Sequence, residues 1–458
     1  MTKPLIRIAS MCVVVACTLP ALASAQVVDT AGRDTTAERL GLWARTSRAS
    51  GLVLSSGKTY NRVEGLPVLF GPVLHDSVKS AELNASVMGI IRSANSFHWD
   101  SQNLGHRITA EMRVGRGRGY ALGVSSFDVM TPVEPWQLPD PDAGLAALFG
   151  HRDFRDYFNR HGAKATATFN TSARSSLAVD WSDERWGSPQ ERHVFSVFGN
   201  GKTWRANPLT DAGRFHLAVF RANIDTRNDE VNPSTGWLIL AEYERGTGTI
   251  TDFGSTSPLT RPFPKADITY GRALFDLRRY NRLSPTTTFN ARLVLGGWLH
   301  GDELPLERRF SVGGIGTVPG FDFRRYDPGT VDVSQCSNGG TPPPGNPAQC
   351  ERVAVGQLEY RQEMPFFNFL NARPIRLRGI GFTVEPTAVA FVDAGRGWLV
   401  GPAFADLQYS SHSFPRFGTF RTDVGVGLDL GLIGVYVAKA VSSSKEPANV
   451  FLRVHRRF

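Results

Sequence analysis

The feature that most narrows the fold is the unbroken alternation of Arg421–Leu432. Its even positions are Thr422, Val424, Val426, Leu428, Leu430 and Leu432, and its odd positions are Arg421, Asp423, Gly425, Gly427, Asp429 and Gly431. Successive strand residues point to opposite faces, so one face is greasy and the other is charged or bare. Thr287–Leu299 repeats the pattern, with Phe289, Ala291, Leu293 and Leu295 against Asn290 and Arg292, and Val294 as the exception. A soluble sandwich also alternates, but its apolar faces share a core. Inner faces of Arg and Gly suit water, and apolar outer faces suit lipid.

Eleven such runs lie near 59–72, 82–92, 105–115, 119–128, 160–170, 174–184, 192–200, 213–226, 235–247, 265–280 and 286–300. Five more lie near 353–363, 383–394, 419–431, 433–441 and 448–458. The fold class expected is all-β, a sixteen-stranded antiparallel transmembrane β-barrel, with the even strand number a single-chain bacterial barrel requires. Pro67 has no amide hydrogen for a ladder, so the first run belongs at an edge. The barrel seam is therefore expected between Thr59–Pro72 and Val450–Phe458. Leu145, Leu148, Phe149, Phe154, Tyr157 and Phe158 recur at helical spacing within Asp142–Arg160. This segment reads either as a short amphipathic helix or as a loop packed at the rim. Strand parity puts it between strands four and five on the periplasmic side, and puts the connection after strand eleven on the extracellular side.

The N-terminus supports export. Basic residues precede the apolar run Ile8–Val15, and Ala23-Ser24-Ala25 offers a cleavage site, so residues 1–25 read as a signal peptide. Val14-Val15-Ala16-Cys17 offers a rival cut that would leave a lipidated Cys17. Residues 26–58 read as a short periplasmic segment, with a short helix around Thr36–Arg48, and 59–458 as the barrel. Beyond the signal no run approaches the roughly 18–20 apolar residues of a membrane helix, which does not argue against strands that hide their signal in alternation.

The net charge of +9 would suit nucleic acid, but an exported chain rarely meets any, and Arg116-Gly117-Arg118-Gly119 reads as a hairpin turn. Charges in a wet lumen or facing anionic headgroups fit better. Export to an oxidising compartment predicts a disulfide between Cys336 and Cys350, which flank a Pro/Gly-rich stretch. Closing that loop is worth about 3 kcal/mol by chain entropy. Two thiols without an adjacent His make a poor metal site, and no cofactor is expected. Neither G-x-S-x-G nor H-E-x-x-H occurs, and His412 between Ser411 and Ser413 reads as solvated loop, so no catalytic residue is expected.

Between the two groups of strands, Arg308–Tyr326 reads RRFSVGGIGTVPGFDFRRY. Gly314-Ile315-Gly316 begins like a phosphate-binding G-x-G-x-x-G, but Pro319 stands at the last glycine and no helical pattern follows. Gly313, Gly314, Thr317, Pro319, Gly320 and Phe321 instead resemble the long-loop signature of the BamA/TamA-type outer-membrane barrels, the bacterial surface antigen family. Asp225-Thr226-Arg227-Asn228 with Pro233 and Gly236 is similar to that family's D-x-R-[DN] hairpin, Leu358-Glu359-Tyr360 to its L-E-[FY] strand, and Phe391–Gly395 to its F-x-D-x-G strand. Val450, Leu452, Val454 and the terminal Phe458 resemble the recognition strand by which such barrels are handed to the assembly machinery.

The resemblance implies a long extracellular loop folded into the lumen and a role in outer-membrane biogenesis, inserting or exporting proteins or lipids beside a labile seam. A translocation pore or passive channel plugged by its own loop is the alternative, and an interaction-only surface antigen ranks third. Implied partners are outer-membrane lipid and lipopolysaccharide, the barrel assembly machinery, and a separate periplasmic protein, since no POTRA module fits residues 26–58. Two departures stand out. The loop lacks the family's V-R-G-[FY] arginine, having Pro319 there, and His455 occupies the place of BamA's kinking glycine. Arg324 or Arg325 is expected to substitute by reaching Glu359 or Asp393, as an arginine fork suits a carboxylate. Arg361 could also neutralise these acids from within its strand.

Overall fold

The computed structural model describes residues 50–458 apart from 57–59, 79, 95–99, 101, 116, 191, 200, 255–263, 324–349, 365–374, 378–379, 383–385, 401–407, 410–413, 432 and 455. The signal, Cys17 and Thr36–Arg48 expectations fall outside the described residues. Sixteen strands follow one another as an antiparallel meander. They are β1 (Gly51–Ser56), β2 (Pro67–Val78), β3 (Ala81–Arg92), β4 (Leu104–Val114), β5 (Gly119–Val133), β6 (Asp156–Asn170), β7 (Ser176–Gly187) and β8 (Ala212–Asp225). The second half comprises β9 (Gly236–Asp252), β10 (Asp267–Ser284), β11 (Thr287–Gly301), β12 (Arg352–Glu363), β13 (Thr387–Val400), β14 (Arg421–Asp429), β15 (Gly434–Ala440) and β16 (Asn449–Arg453). Helix α1 (Asp140–Gly150) lies between β5 and β6. A separate two-stranded hairpin joins Ile375–Leu377 to Ile380–Phe382, and Gln408–Tyr409 runs parallel to the end of β13.

The meander is open. Among the described residues β1 pairs with β2 and β16 with β15, and no backbone pairing joins β1 to β16.

The alternation holds. On β14, Val424, Val426 and Leu428 are exposed, while Arg421, Asp423 and Asp429 are buried. On β11, Leu293 is exposed and Asn290, Arg292 and Val294 are buried. Val294 breaks the polar set because the inner face is not uniformly wet. Toward the long connections it carries an apolar cluster that includes Trp186, Phe215, Leu217, Ile250, Val294, Val353 and Leu399. Toward the short turns it carries buried ions such as Asp276 with Arg278 and Arg292.

Two strand assignments need correction. The sheet starts at Gly51, so Thr59–Pro72 is not the first strand; Pro67 opens β2, a position that also spares its missing amide. Of the run near 192–200, residues 192–199 form no strand. Their apolar alternation packs on α1 instead, with Val197 N–H donating to Leu148 O at 2.8 Å and Tyr60 Oη donating to Phe195 O. The two errors cancel in the count but not in parity: α1 follows the fifth strand, so it lies at the same end as the glycine segment, not opposite it. The expected helix also ends early, because Tyr157 and Phe158 already belong to β6.

If the outer face is lipid-bound, an arginine in its middle should cost more than one near a strand end. Val426→Arg is expected to lower unfolding free energy in vesicles by about 2–4 kcal/mol and Thr422→Arg by about 0–1 kcal/mol. Urea titration of the vesicle-inserted protein measures both.

Candidate functional site

The glycine segment leaves β11 through a 3-10 turn, Leu306–Arg308, and is described to Phe323. Phe310 pairs with Cys350, each N–H donating to the other's carbonyl at 2.7 and 2.9 Å. Gly313 and Gly314 adopt φ of 134° and 89°, in the region that disfavours a Cβ. Thr317 Oγ1 accepts the Gly313 N–H at 2.9 Å, and Gly314 N–H donates to Phe321 O at 2.9 Å, closing a compact knot.

This knot is buried against the inner face. Phe310, Val312, Val318 and Phe321 join the apolar cluster. Thr317 O accepts from Gln357 Nε2 on β12 at 2.8 Å, Pro319 O from Asn449 Nδ2 on β16 at 3.0 Å, and Gly320 N–H donates to Asp423 on β14. Ser311 binds Glu134, between β5 and α1, through its N–H at 2.8 Å and its hydroxyl at 2.7 Å. At Gly320 an added Cβ would stand 2.6 Å from Asp423 Cβ and 2.7 Å from the Ala440 nitrogen, so only glycine fits.

Beneath the knot, acids gather on adjacent strands. Glu359, Asp393 and Asp423 are all fully buried, and Asp393 stands directly opposite Asp423. Arg361 lies 3.3 Å from Glu359 and also bonds Asp429. Asp393 takes its cation from an unexpected place, Arg457, whose guanidinium also lies 3.6 Å from the Phe391 ring centre. Arg324 and Arg325 lie outside the described residues. Arg457 was missed because RVHRRF was read only as a recognition strand, although three basic residues facing a barrel with buried acids were a usable signal.

The terminal strand itself is shorter than its alternation suggests. Val450 and Leu452 point outward and are exposed, but β16 stops at Arg453. The chain then turns inward. Val454 N–H donates to Asp142 Oδ1 at 2.6 Å, Arg456 reaches Pro233 O at 3.4 Å, and Phe458 is buried. The inner acids and Asp142 hold this turn, so Phe458 does not continue the outward face of Val450 and Leu452.

The remaining motifs are local. Arg227 grips Asp225 with a two-point pair at 2.8 and 2.9 Å, and Asn228 Oδ1 accepts the Ser234 and Thr235 N–H groups, fixing the β8–β9 turn. Cys350 is disulfide-bonded, and Cys336 lies outside the described residues. His412, Ser411 and Ser413 also lie outside them. Among the described residues no group of three His, Cys, Asp or Glu could hold a metal.

Two outcomes follow from this geometry. Arg457→Met strands Asp393 in a buried site, so unfolding free energy should fall by about 3–5 kcal/mol, with much of the loss recovered in Arg457→Met/Asp393→Leu. Urea titration of the refolded variants checks this. Glu307, in the turn before the knot, is fully enclosed, and burial followed by nearby Asp211 pushes its carboxyl from 4.5 up to about 8. A raised carboxyl costs the folded state stability as pH rises from 4.5 to about 8. Glu307→Gln should therefore raise the thermal midpoint at neutral pH, and the two proteins should converge below about pH 4; thermal gel-shift assays across pH read both.

The Omp85 superfamily domain matches residues 133–432. No curated protein matches the chain. Among solved structures, BamA from Haemophilus ducreyi lacking POTRA domains 1–3 is similar at 13% identity and a TM-score of 0.46, over 90% of this chain and 77% of that one. CdiB from Acinetobacter baumannii is similar at 12% identity and 0.34, over 86% of this chain and 57% of that one. CdiB from Escherichia coli is similar at 10% identity and 0.35, over 88% and 61%. With the superfamily domain spanning most of the sheet and the inner knot, the chain belongs to the Omp85 superfamily of outer-membrane β-barrels.

Proposed function

We propose that this barrel serves outer-membrane biogenesis, inserting or exporting proteins or lipids at the junction of its first and last strands. The observation that carries the reading is that, among the described residues, no pairing joins β1 to β16. Both strands are short, at six and five residues, and β1 turns Leu52 and Leu54 outward at 87% and 77% exposure. An unpaired edge is a template for another strand. In lipid, where no water satisfies main-chain groups, such an edge either closes or receives an incoming strand. Arg457 on Asp393 and Val454 on Asp142 hold the end of the chain inward, which limits how far β16 can extend to close the junction.

The alternative is a translocation pore or channel plugged by its own segment. The observation in its favour is the knot of Phe310–Phe321, whose Phe310, Val312, Val318 and Phe321 pack among inward-facing apolar residues of the sheet. A large steady current in planar bilayers that grows in Gly320→Val would favour the pore.

For the biogenesis reading, cysteines placed one in Gly51–Ser56 and one in Asn449–Arg453 should crosslink on oxidation. The stapled protein should lose function, read as outer-membrane protein content after depletion of the wild type, whereas each single-cysteine protein should keep it. Full function in the stapled form would end the junction mechanism.

A further inference from the structure

We infer that the outer face of β6–β9, toward the long connections, is a binding site for a phosphate-bearing lipid headgroup. This rests on reading the sheet as membrane-embedded. Following the ladders across the outer face, Tyr120, Phe169 and Leu177 stand in one row, and Val179, Phe220 and Tyr243 in a higher one. Leu177, Val179 and Phe220 are exposed, and Trp181 above them is 72% exposed. Above Trp181 the chemistry changes. Asp128, His161, Arg185 and Arg214 are successive ladder partners, and Asp183 with His216 occupies the row beneath Arg185 and Arg214. Arg245 stands beside Ala218, in the Trp181 row.

These groups face outward. The side chains of His161, Arg214 and His216 are 56%, 57% and 51% exposed. The acids in the patch are already engaged. Asp183 takes a two-point pair from Arg214 at 2.5 and 2.9 Å and lies 3.6 Å from His216, and Asp128 lies 3.6 Å from His161. Among the described residues no ion pair within 4 Å holds Arg185 or Arg245; Arg185 acts on Asp183 only at longer range, and that acid is already held by Arg214. The arginine row stands eight residues above Leu177 on β7, about 26 Å of strand, or roughly 20 Å of height at the usual tilt. That height places Arg185 and Arg214 at the boundary between hydrocarbon and headgroups. Arg245 stands lower, in the Trp181 row, where its long stem lets the charge reach up toward that boundary. An unpaired charge there is unfavourable, and an anionic headgroup satisfies it. Arginine's fork suits phosphate oxygens. A free anion matches only the upper rows; a lipid matches the basic rows and the apolar rows beneath with one molecule.

The experiment uses the full chain folded in detergent, with native mass spectrometry reading bound lipid. The probes are the diphosphorylated diglucosamine lipid of lipopolysaccharide, its dephosphorylated form, and inorganic phosphate as competitor. Wild type should prefer the phosphorylated form, and Arg185→Gln/Arg245→Gln, which leaves the Arg214–Asp183 pair intact, should weaken it by about tenfold. Arg118→Gln/Arg282→Gln, the same charge change at the short-turn end, should bind as wild type does. Equal retention of both lipids, displacement by millimolar inorganic phosphate, or equal loss in the two double variants would overturn the site. A wild type that fails to insert into vesicles would overturn the membrane reading with it. Normal insertion without lipid preference would overturn the site alone.

Discussion

In a sheet surrounded by lipid, each main-chain N–H and C=O must find its partner within the protein. Among the described residues, fourteen of the sixteen strands meet that demand through ladders on both sides, and the two that do not are the first and the last. Everything distinctive about this molecule gathers near that exception. The last strand is short, its end turns inward, and the residues beyond it pair with acids on β13 and with α1.

The interior keeps that arrangement in place by combining two kinds of packing. Toward the long connections, the glycine knot inserts Phe310, Val312, Val318 and Phe321 among inward-facing aromatic and branched residues. Toward the short turns, buried carboxylates and guanidiniums satisfy one another. Such pairs are weak evidence of net stability, because desolvation offsets their attraction, but breaking one leaves a buried charge and is strongly unfavourable. The effect is specificity. Asp423 receives Gly320 of the knot, and Asp393 opposite it receives Arg457 of the terminus, so two distant segments are fixed by neighbouring strands.

The legible part of the fold was the part governed by local periodicity. Alternation in Arg421–Leu432 gave the facing of β14 residue by residue, because a strand's side-chain period is fixed by its backbone. Periodicity also misled where its cause was not a ladder. Val194 and Val197 are apolar because they pack against Ala147 and Leu148 of α1, and Gly51–Ser56 was too short to stand out before its pairing with β2 was known. The glycine segment stands out by its composition, and at Gly320 the close approach to Asp423 and Ala440 leaves room for no Cβ.

What sequence alone determined was the all-β class, the outward apolar face, and Glu359 and Asp393 as inward acids. Each follows from residue type and a period of two. The strand total agreed only because a missed strand at Gly51–Ser56 offset a false one near 192–200. What only tertiary structure decided was who meets whom across the interior: Arg457 with Asp393, Val454 with Asp142, Ser311 with Glu134. Those partners lie 64, 312 and 177 residues apart. No local pattern carries such a pairing, because it depends on how a long sheet curls and on which segments its interior has room to hold.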